Sequence, residues 1–211
     1  MDTKNKPRWF QYKKTSLVLA LFSILSVNLH AQTKFIENKG QWPEQVVAKA
    51  QTGGSAIWIE KQGITYQFWD NEKIAKFHNK TAKDSIVDFH TVKLNFIGSN
   101  PKPFVQKHKP YETLYNYYLG NDKSKWAASA LAFGQITLIN VYPNIDLQID
   151  ASETGFKYSY IVHSGGQYEN IETEILGASD AFIENGGLKI FTTLENIEEE
   201  SPLSYLGDFS N

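Results

Sequence analysis

The 211-residue sequence contains no cysteine. That excludes disulfides, thiolate nucleophiles, Cys-type zinc sites and the lipidated cysteine of a bacterial lipoprotein. Arginine occurs once, at Arg8, so the remainder lacks the planar fork that pairs bidentately with phosphate or carboxylate. No Gly-x-Ser-x-Gly elbow marks a hydrolase nucleophile. The histidines, among them His78, His90 and His108, nowhere adopt the His-x-x-x-His spacing that binds zinc. No segment carries the long apolar period of an amphipathic helix.

Two features stand out against these gaps. The first is the N-terminus, where Lys4, Lys6, Arg8, Lys13 and Lys14 face a single acid, Asp2. An uncharged apolar run of 14 residues follows at 16–29, and a small residue stands at Ala31. A basic start, a short apolar stretch and a small residue before the cut describe a secretory signal peptide over 1–31, cleaved between Ala31 and Gln32. Leu29 is bulkier than the usual residue two places upstream. A membrane anchor would need about 20 apolar residues, so no transmembrane segment is expected after cleavage. The domain that remains, 32–211, keeps 16 Lys and 22 acidic residues, a net charge of −6. Nucleic acid is thereby an unsuitable partner. The expected location is secreted or cell-surface, and the length suffices for one sizeable core.

The second feature is a β pattern that barely pauses. Short runs of Ile, Val, Tyr, Phe and Thr alternate with polar residues, punctuated by Gly, Asn, Asp and Pro. Residues 56–59 and 64–68 flank Glu60-Lys61-Gln62-Gly63, a hairpin signal. Residues 90–97 set Val92, Leu94 and Phe96 against Thr91, Lys93 and Asn95. Further strands are expected at 114–119, 135–141, 145–149, 156–163, 171–176, 181–184, 188–192 and 202–206. Short strands at this spacing predict an all-β, β-sandwich or jelly-roll-like domain. Residues 123–132 (KSKWAASALA) are the best helical candidate, a turn or irregular crossover being the alternative. The Lys-rich, polar stretch 70–88 is expected to be a long loop.

Charge is divided along the chain. Residues 32–125 hold 14 Lys and nine acids, net +5, whereas 126–211 hold two Lys and 13 acids, net −11. Two solvated surfaces of one domain account for this division. At the end, Leu203, Tyr205 and Leu206 arrive with few residues after them. An incompletely covered edge there invites self-association.

Five segments in order carry a family resemblance: 35–42 (FIENKGQW), 53–68 (GGSAIWIEKQGITYQF), 115–126 (YNYYLGNDKSKW), 141–147 (VYPNIDL) and 155–165 (GFKYSYIVHSG). Together they resemble the N-terminal domain found before SBBP-type β-propeller repeats in secreted surface proteins of Bacteroidota. The resemblance implies an exported surface protein that continues into propeller repeats, other β-sandwich modules and a type IX sorting domain. It implies no reaction. This chain stops at Asn211 without a propeller or sorting segment, so a C-terminal truncation and a natural end are both open.

Several residues invite a chemical role. Asp146 and Asp150, with Glu153 beyond, fit a Ca²⁺ or glycosidase carboxylate cluster. On a strand, however, Asp146, Gln148 and Asp150 share one face opposite Ile145, Leu147 and Ile149, which favours a polar outer surface. His163 ends a strand, and a triad with Asp146 and a serine can be imagined, but a strand-end histidine bonded to a loop is the simpler expectation. Trp42, Trp58, Trp69 and Trp126, with Tyr111, Tyr115, Tyr117 and Tyr118, offer a glycan-stacking surface, although aromatics commonly fill sandwich cores. Trp69, beside the polar loop, is the best exposed candidate. Ser85 in Asp84-Ser85-Ile86 matches the O-glycosylation pattern of exported Bacteroidota proteins, and Asn79-Lys80-Thr81 matches the N-glycosylation pattern.

The sequence thus predicts a secreted, non-enzymatic β module acting in structure, assembly or adhesion, with no catalytic residue, metal or cofactor. Its expected partners are other surface β modules or a glycan. The alternative is a carbohydrate-binding module using exposed aromatic residues. A polysaccharide-degrading enzyme would need a cleft with paired carboxylates.

Overall fold

The computed structural model describes residues 33–81, 86–153, 155–204 and 206. Strands β1 (Phe35–Glu37), β2 (Val46–Thr52), β3 (Ser55–Glu60) and β4 (Gly63–Trp69) pair antiparallel in succession. Helix α1 (Asn71–His78) precedes β5 (Phe89–Ile97), which pairs with β4. A second antiparallel run is β6 (Phe104–Tyr117), β7 (Ala127–Tyr142), β8 (Ile145–Ala151) and β9 (Phe156–Val162). Strand β10 (Glu172–Leu176) returns to β5. Strands β11 (Asp180–Glu184), β12 (Gly187–Phe191) and β13 (Ile197–Glu199) form a separate three-stranded sheet.

Alternation explains the individual strands. In β4, Ile64, Tyr66 and Phe68 are buried, while Thr65, Gln67 and Trp69 look outward and are half-buried. In β8, Ile145, Leu147 and Ile149 are completely buried, each worth roughly 1.5–3 kcal/mol of burial. Turn chemistry sets the hairpins. Asn185 (φ 52°) and Gly186 (φ 82°) both adopt positive φ between the paired Glu184 and Gly187, the geometry of a two-residue type I′ turn. Gly63 is required by close approach, because a Cβ there would lie 2.5 Å from the Leu94 carbonyl oxygen.

Strand β7 joins the two layers. One edge takes β6, and the other takes β1 at Ala132–Phe133 and then β8 from Gln135 onward. Ile136 and Leu138 point into the core, yet the core residue Phe35 pairs with Phe133, of the opposite parity. The strand therefore changes its inward face near Gly134, as a strand does when it passes between layers of a sandwich. Lys109 (φ 56°) lies across from this bend, between the pairs His108–Gln135 and Pro110–Phe133. A Cβ on Gly134 would sit 3.2 Å from the Lys109 Cβ, so the bend admits only glycine without a shift. Aromatic contacts close the sandwich: Phe156 packs on Phe35 and Tyr66, and Tyr160 on Phe96. The fold is all-β and sandwich-like.

Strands β1, β2, β13 and the first part of β6 fall outside the expected strands, and three segments take other forms than expected. Only Lys123–Lys125 of 123–132 is helical, as a single 3₁₀ turn. The alanine-rich remainder opens β7, where pairing on both edges outweighs helix propensity. Within 70–88, α1 forms because Asp70 caps it by accepting the Lys73 amide at 2.9 Å, and Glu72 pairs with Lys76 one turn on. At 202–206, the described residues form no strand; Leu203 and Leu206 lie exposed. Among the described residues no helix is long and apolar enough to cross a membrane.

Candidate functional site: an aromatic and lysine face

Strand register brings distant residues into one row. Trp58 pairs with Lys49, Lys49 with Ile36, Ile36 with Ala132, and Ala132 with Tyr111. The row crosses β3, β2, β1, β7 and β6 on the outer face, since Ile57, Ile59 and Phe35 point to the core. Trp42, from the β1–β2 loop, meets Trp58 edge-to-face at 5.6 Å and Tyr117 at 5.2 Å. Two lysines lie over rings: Lys49 Nζ is 4.5 Å from the Trp58 centroid, and Lys34 Nζ is 4.6 Å from that of Tyr111. Burial holds the Lys49 ammonium below the usual lysine pKa. The row itself contains no acid.

The Trp42 loop is fixed from below. The Asn38 carboxamide donates to the carbonyls of Trp42, Pro43 and Val46 and accepts from the Gly40 and Trp42 amides. Gln41 donates to the Glu37 carbonyl at 2.7 Å. The segment 35–42 is thus a bonded brace that presents one indole.

Trp42 and Trp58 are brought together, half-buried, whereas Trp69 makes no ring contact with either among the described residues. Trp69 lies further along β4, opposite Phe89, and its indole N–H donates to Asn71 Oδ1 at 3.0 Å. It is half-buried, less open than the sequence implies. Tyr118 and Trp126 form a second pair at 5.4 Å, with Lys123 5.8 Å above Trp126.

Asp146 and His163 do meet. His163 Nε2–H donates to Asp146 Oδ2 at 2.8 Å, and the Asn140 amide donates to Oδ1 at 2.7 Å. Asn140 (φ 53°) lies where the β7–β8 register shifts, so the buried carboxylate ties that irregularity to the end of β9. No serine hydroxyl bonds His163 among the described residues. Asp150 accepts from Gln135, Gln148 and Lys109. Its burial would raise its pKa, but the bonds from Gln148, Lys109 and Gln135 outweigh that and leave it lowered. Both aspartates face outward on β8, as alternation predicts, and each is a structural acceptor. Glu153 is exposed. Among the described residues no group of three His, Asp or Glu side chains could hold a metal. Ala31, Gln32 and Ser85 lie outside the described residues.

A shallow depression of about 340 Å³ borders the aromatic face near Glu60 and Lys93. Four of its charges pair, Lys93 with Glu60 at 2.8 Å and Lys61 with Glu44 at 3.1 Å, Thr65 also donates to Glu60, and Lys102 stands at its rim.

Two polar anchors were not legible in the sequence. Glu199 on β13 reaches into the main sandwich, where Tyr158 donates to Oε2 at 2.7 Å and the Tyr66 hydroxyl stands near the carboxylate. Its Oε1 is buried without a partner among the described residues. Burial raises the Glu199 pKa against the opposing pull of the two hydroxyls. His90 on β5 accepts the Thr193 amide at Nδ1 (3.2 Å), so its proton sits on Nε2 and is donated to the Gly177 carbonyl at 2.8 Å. His90 reads as an ordinary strand position, and Glu199 falls in no expected strand, until β13 and the 177–179 and 192–196 loops are placed.

No curated protein and no solved structure matches this chain. A family model does match, over residues 35–208, which takes in every strand of both sheets and the aromatic face except Lys34. The chain belongs to the family described as a domain of unknown function (DUF7948).

Proposed function

We propose that the chain is an exported, non-enzymatic β module with a structural, assembly or adhesion role at the bacterial cell surface. One observation carries the reading: the residues best suited to catalysis, Asp146, Asp150 and His163, are committed to bracing strand ends and bulges. The basic and apolar N-terminal sequence supports export. The likeness to domains that precede SBBP-type repeats supports a setting among other surface β modules, which are the partners in this reading. The test is a hydrolytic screen over glycoside, ester and peptide substrates. No turnover is expected, and turnover that disappears in Asp146→Ala would overturn the proposal.

A second reading, a carbohydrate-binding module, is favoured by the gathering of Trp42, Trp58 and Tyr117 on one outer face. Affinity gel electrophoresis through a panel of soluble glycans tests it. Retardation lost in Trp58→Ala supports the reading, and migration unaffected by every glycan removes it.

A further inference from the structure

Lys34 and Lys49 distinguish this face from an ordinary aromatic surface. Each rests on a ring, and neither has a carboxylate partner among the described residues. Some neighbouring lysines pair with carboxylates, Lys61 with Glu44, Lys93 with Glu60 and Lys107 with Glu37, while Lys39 donates to the Ala128 and Ser129 carbonyls. Lys34 and Lys49 instead lie over rings of the aromatic row, in the half of the chain that carries net +5. A partly desolvated ammonium over a ring is stabilised by the ring quadrupole alone, which is worth less than a charge-assisted hydrogen bond to an anion. An arriving carboxylate would draw each lysine off its ring and leave the ring face free. The apolar C–H face of a pyranose then stacks where the lysine stem lay.

Resting on the carbohydrate-binding reading above, we propose that the Trp58–Lys49–Ile36–Ala132–Tyr111 row binds an acidic polysaccharide, Lys34 and Lys49 pairing with its carboxylates while Tyr111 and Trp58 stack on its sugar rings. A neutral glycan cannot displace the lysines and is excluded. An acidic polypeptide offers carboxylates but no rigid ring to occupy the two uncovered aromatic faces. The lysines are thus both counter-charge and gate.

The test uses the full chain in affinity gels containing polygalacturonate, its methyl-esterified neutral form or poly-glutamate, with tryptophan fluorescence titrations alongside. Polygalacturonate alone is expected to retard the protein and shift the indole emission, and raising NaCl to about 0.5 M should weaken the effect. The Lys34→Ala/Lys49→Ala variant should bind about 10-fold or more weakly, the scale of a lost charge-assisted bond. The Lys34→Arg/Lys49→Arg variant should retain binding. Should the alanine pair fold poorly by circular dichroism, Lys49→Gln alone carries the same expectation, with a smaller loss. Equal retardation by the esterified polymer would leave a carbohydrate-binding face standing and overturn the acidic specificity. Equal retardation by poly-glutamate would make the surface a general polyanion site and overturn it too, as would undiminished polygalacturonate binding in the alanine pair. No retardation by either polygalacturonate form overturns this proposal and leaves the carbohydrate-binding reading to the panel of soluble glycans.

Discussion

The ten-stranded sheet and the three-stranded sheet are built from the same residue types but are held by different forces. Across β3 to β9 the inward positions are almost closed to solvent, with Ile59, Ile64, Leu138, Ile145, Leu147 and Ile149 at 0% exposure. The small sheet contributes Ile190 and Ile197 to that core, with Leu188 packed against it, and every residue of β11 is exposed, Ile183 at 75%. What fastens it to the larger sheet includes polar contacts: Glu199 to Tyr158, and His90 to Gly177 and Thr193. The difference teaches where stability is global and where it is local. Apolar packing is non-directional and is shared through the whole core, whereas a few directional bonds hold one part and can be lost by themselves.

Core truncation gives the largest effect. Leu138→Ala should cost about 3 kcal/mol in global unfolding, the usual penalty for a fully buried leucine, and chemical denaturation reads it. Ile190→Ala, at an equally buried position, sharpens the comparison. It should speed amide exchange in β11, β12 and β13 while the protection of β7 and β8 stays as in wild type. Equal loss of protection in both sheets would show that the small sheet is part of one cooperative unit.

Asp146→Ala comes next, at about 2 kcal/mol, because it strands the Asn140 amide and releases the end of β9. Asp146→Asn, which keeps an acceptor, should cost less. If the two variants were equally destabilised, the charge and not the acceptor would be what holds the bulge.

Glu199 gives a smaller effect of opposite sign. Its folded-state pKa is raised above 4.5, so the native state binds this proton more tightly than the unfolded chain does. The penalty for burying the anion is full above the raised value and vanishes as pH falls below 4.5. Glu199→Gln should therefore be more stable than wild type near neutral pH, and the advantage should shrink on acidification and disappear below pH 4.5. Comparing variant with wild type at each pH removes the contribution of groups such as Asp150, whose lowered pKa makes acid destabilising. A pH-independent difference would mean that the carboxylate is not buried as an anion.

Much of the fold is legible in local sequence, because the strongest signals are local. The alternation at 145–149, the 60–63 turn and the Asn185-Gly186 turn each depend on neighbours in the chain. The start of β7 is not legible: Ala127, Ala130 and Ala132 carry no alternation, and they become a strand through partners supplied by β1 and β6. The candidate site is harder still. Trp58 and Trp42 are visible as aromatic residues, but a row made of positions 36, 49, 58, 111 and 132 exists only once four strand pairings have set the register.

The smallest effect on folding and the clearest on association should come from the exposed apolar residues around the small sheet. Leu203 is 88% exposed and Leu206 is fully exposed, and β11 pairs on one edge only. An open strand edge and uncovered apolar side chains each offer a surface to a second chain. Self-association is therefore expected at high protein concentration, visible by light scattering. The Leu203→Ser/Leu206→Ser variant should reduce it while leaving the unfolding free energy within about 0.5 kcal/mol of wild type, as surface changes usually do. Introducing Lys at Ile183, which places a charge on the open β11 strand, should reduce it further. A wild-type protein that stays monomeric throughout would instead place the small sheet on the same footing as the large one, with edges that need no cover.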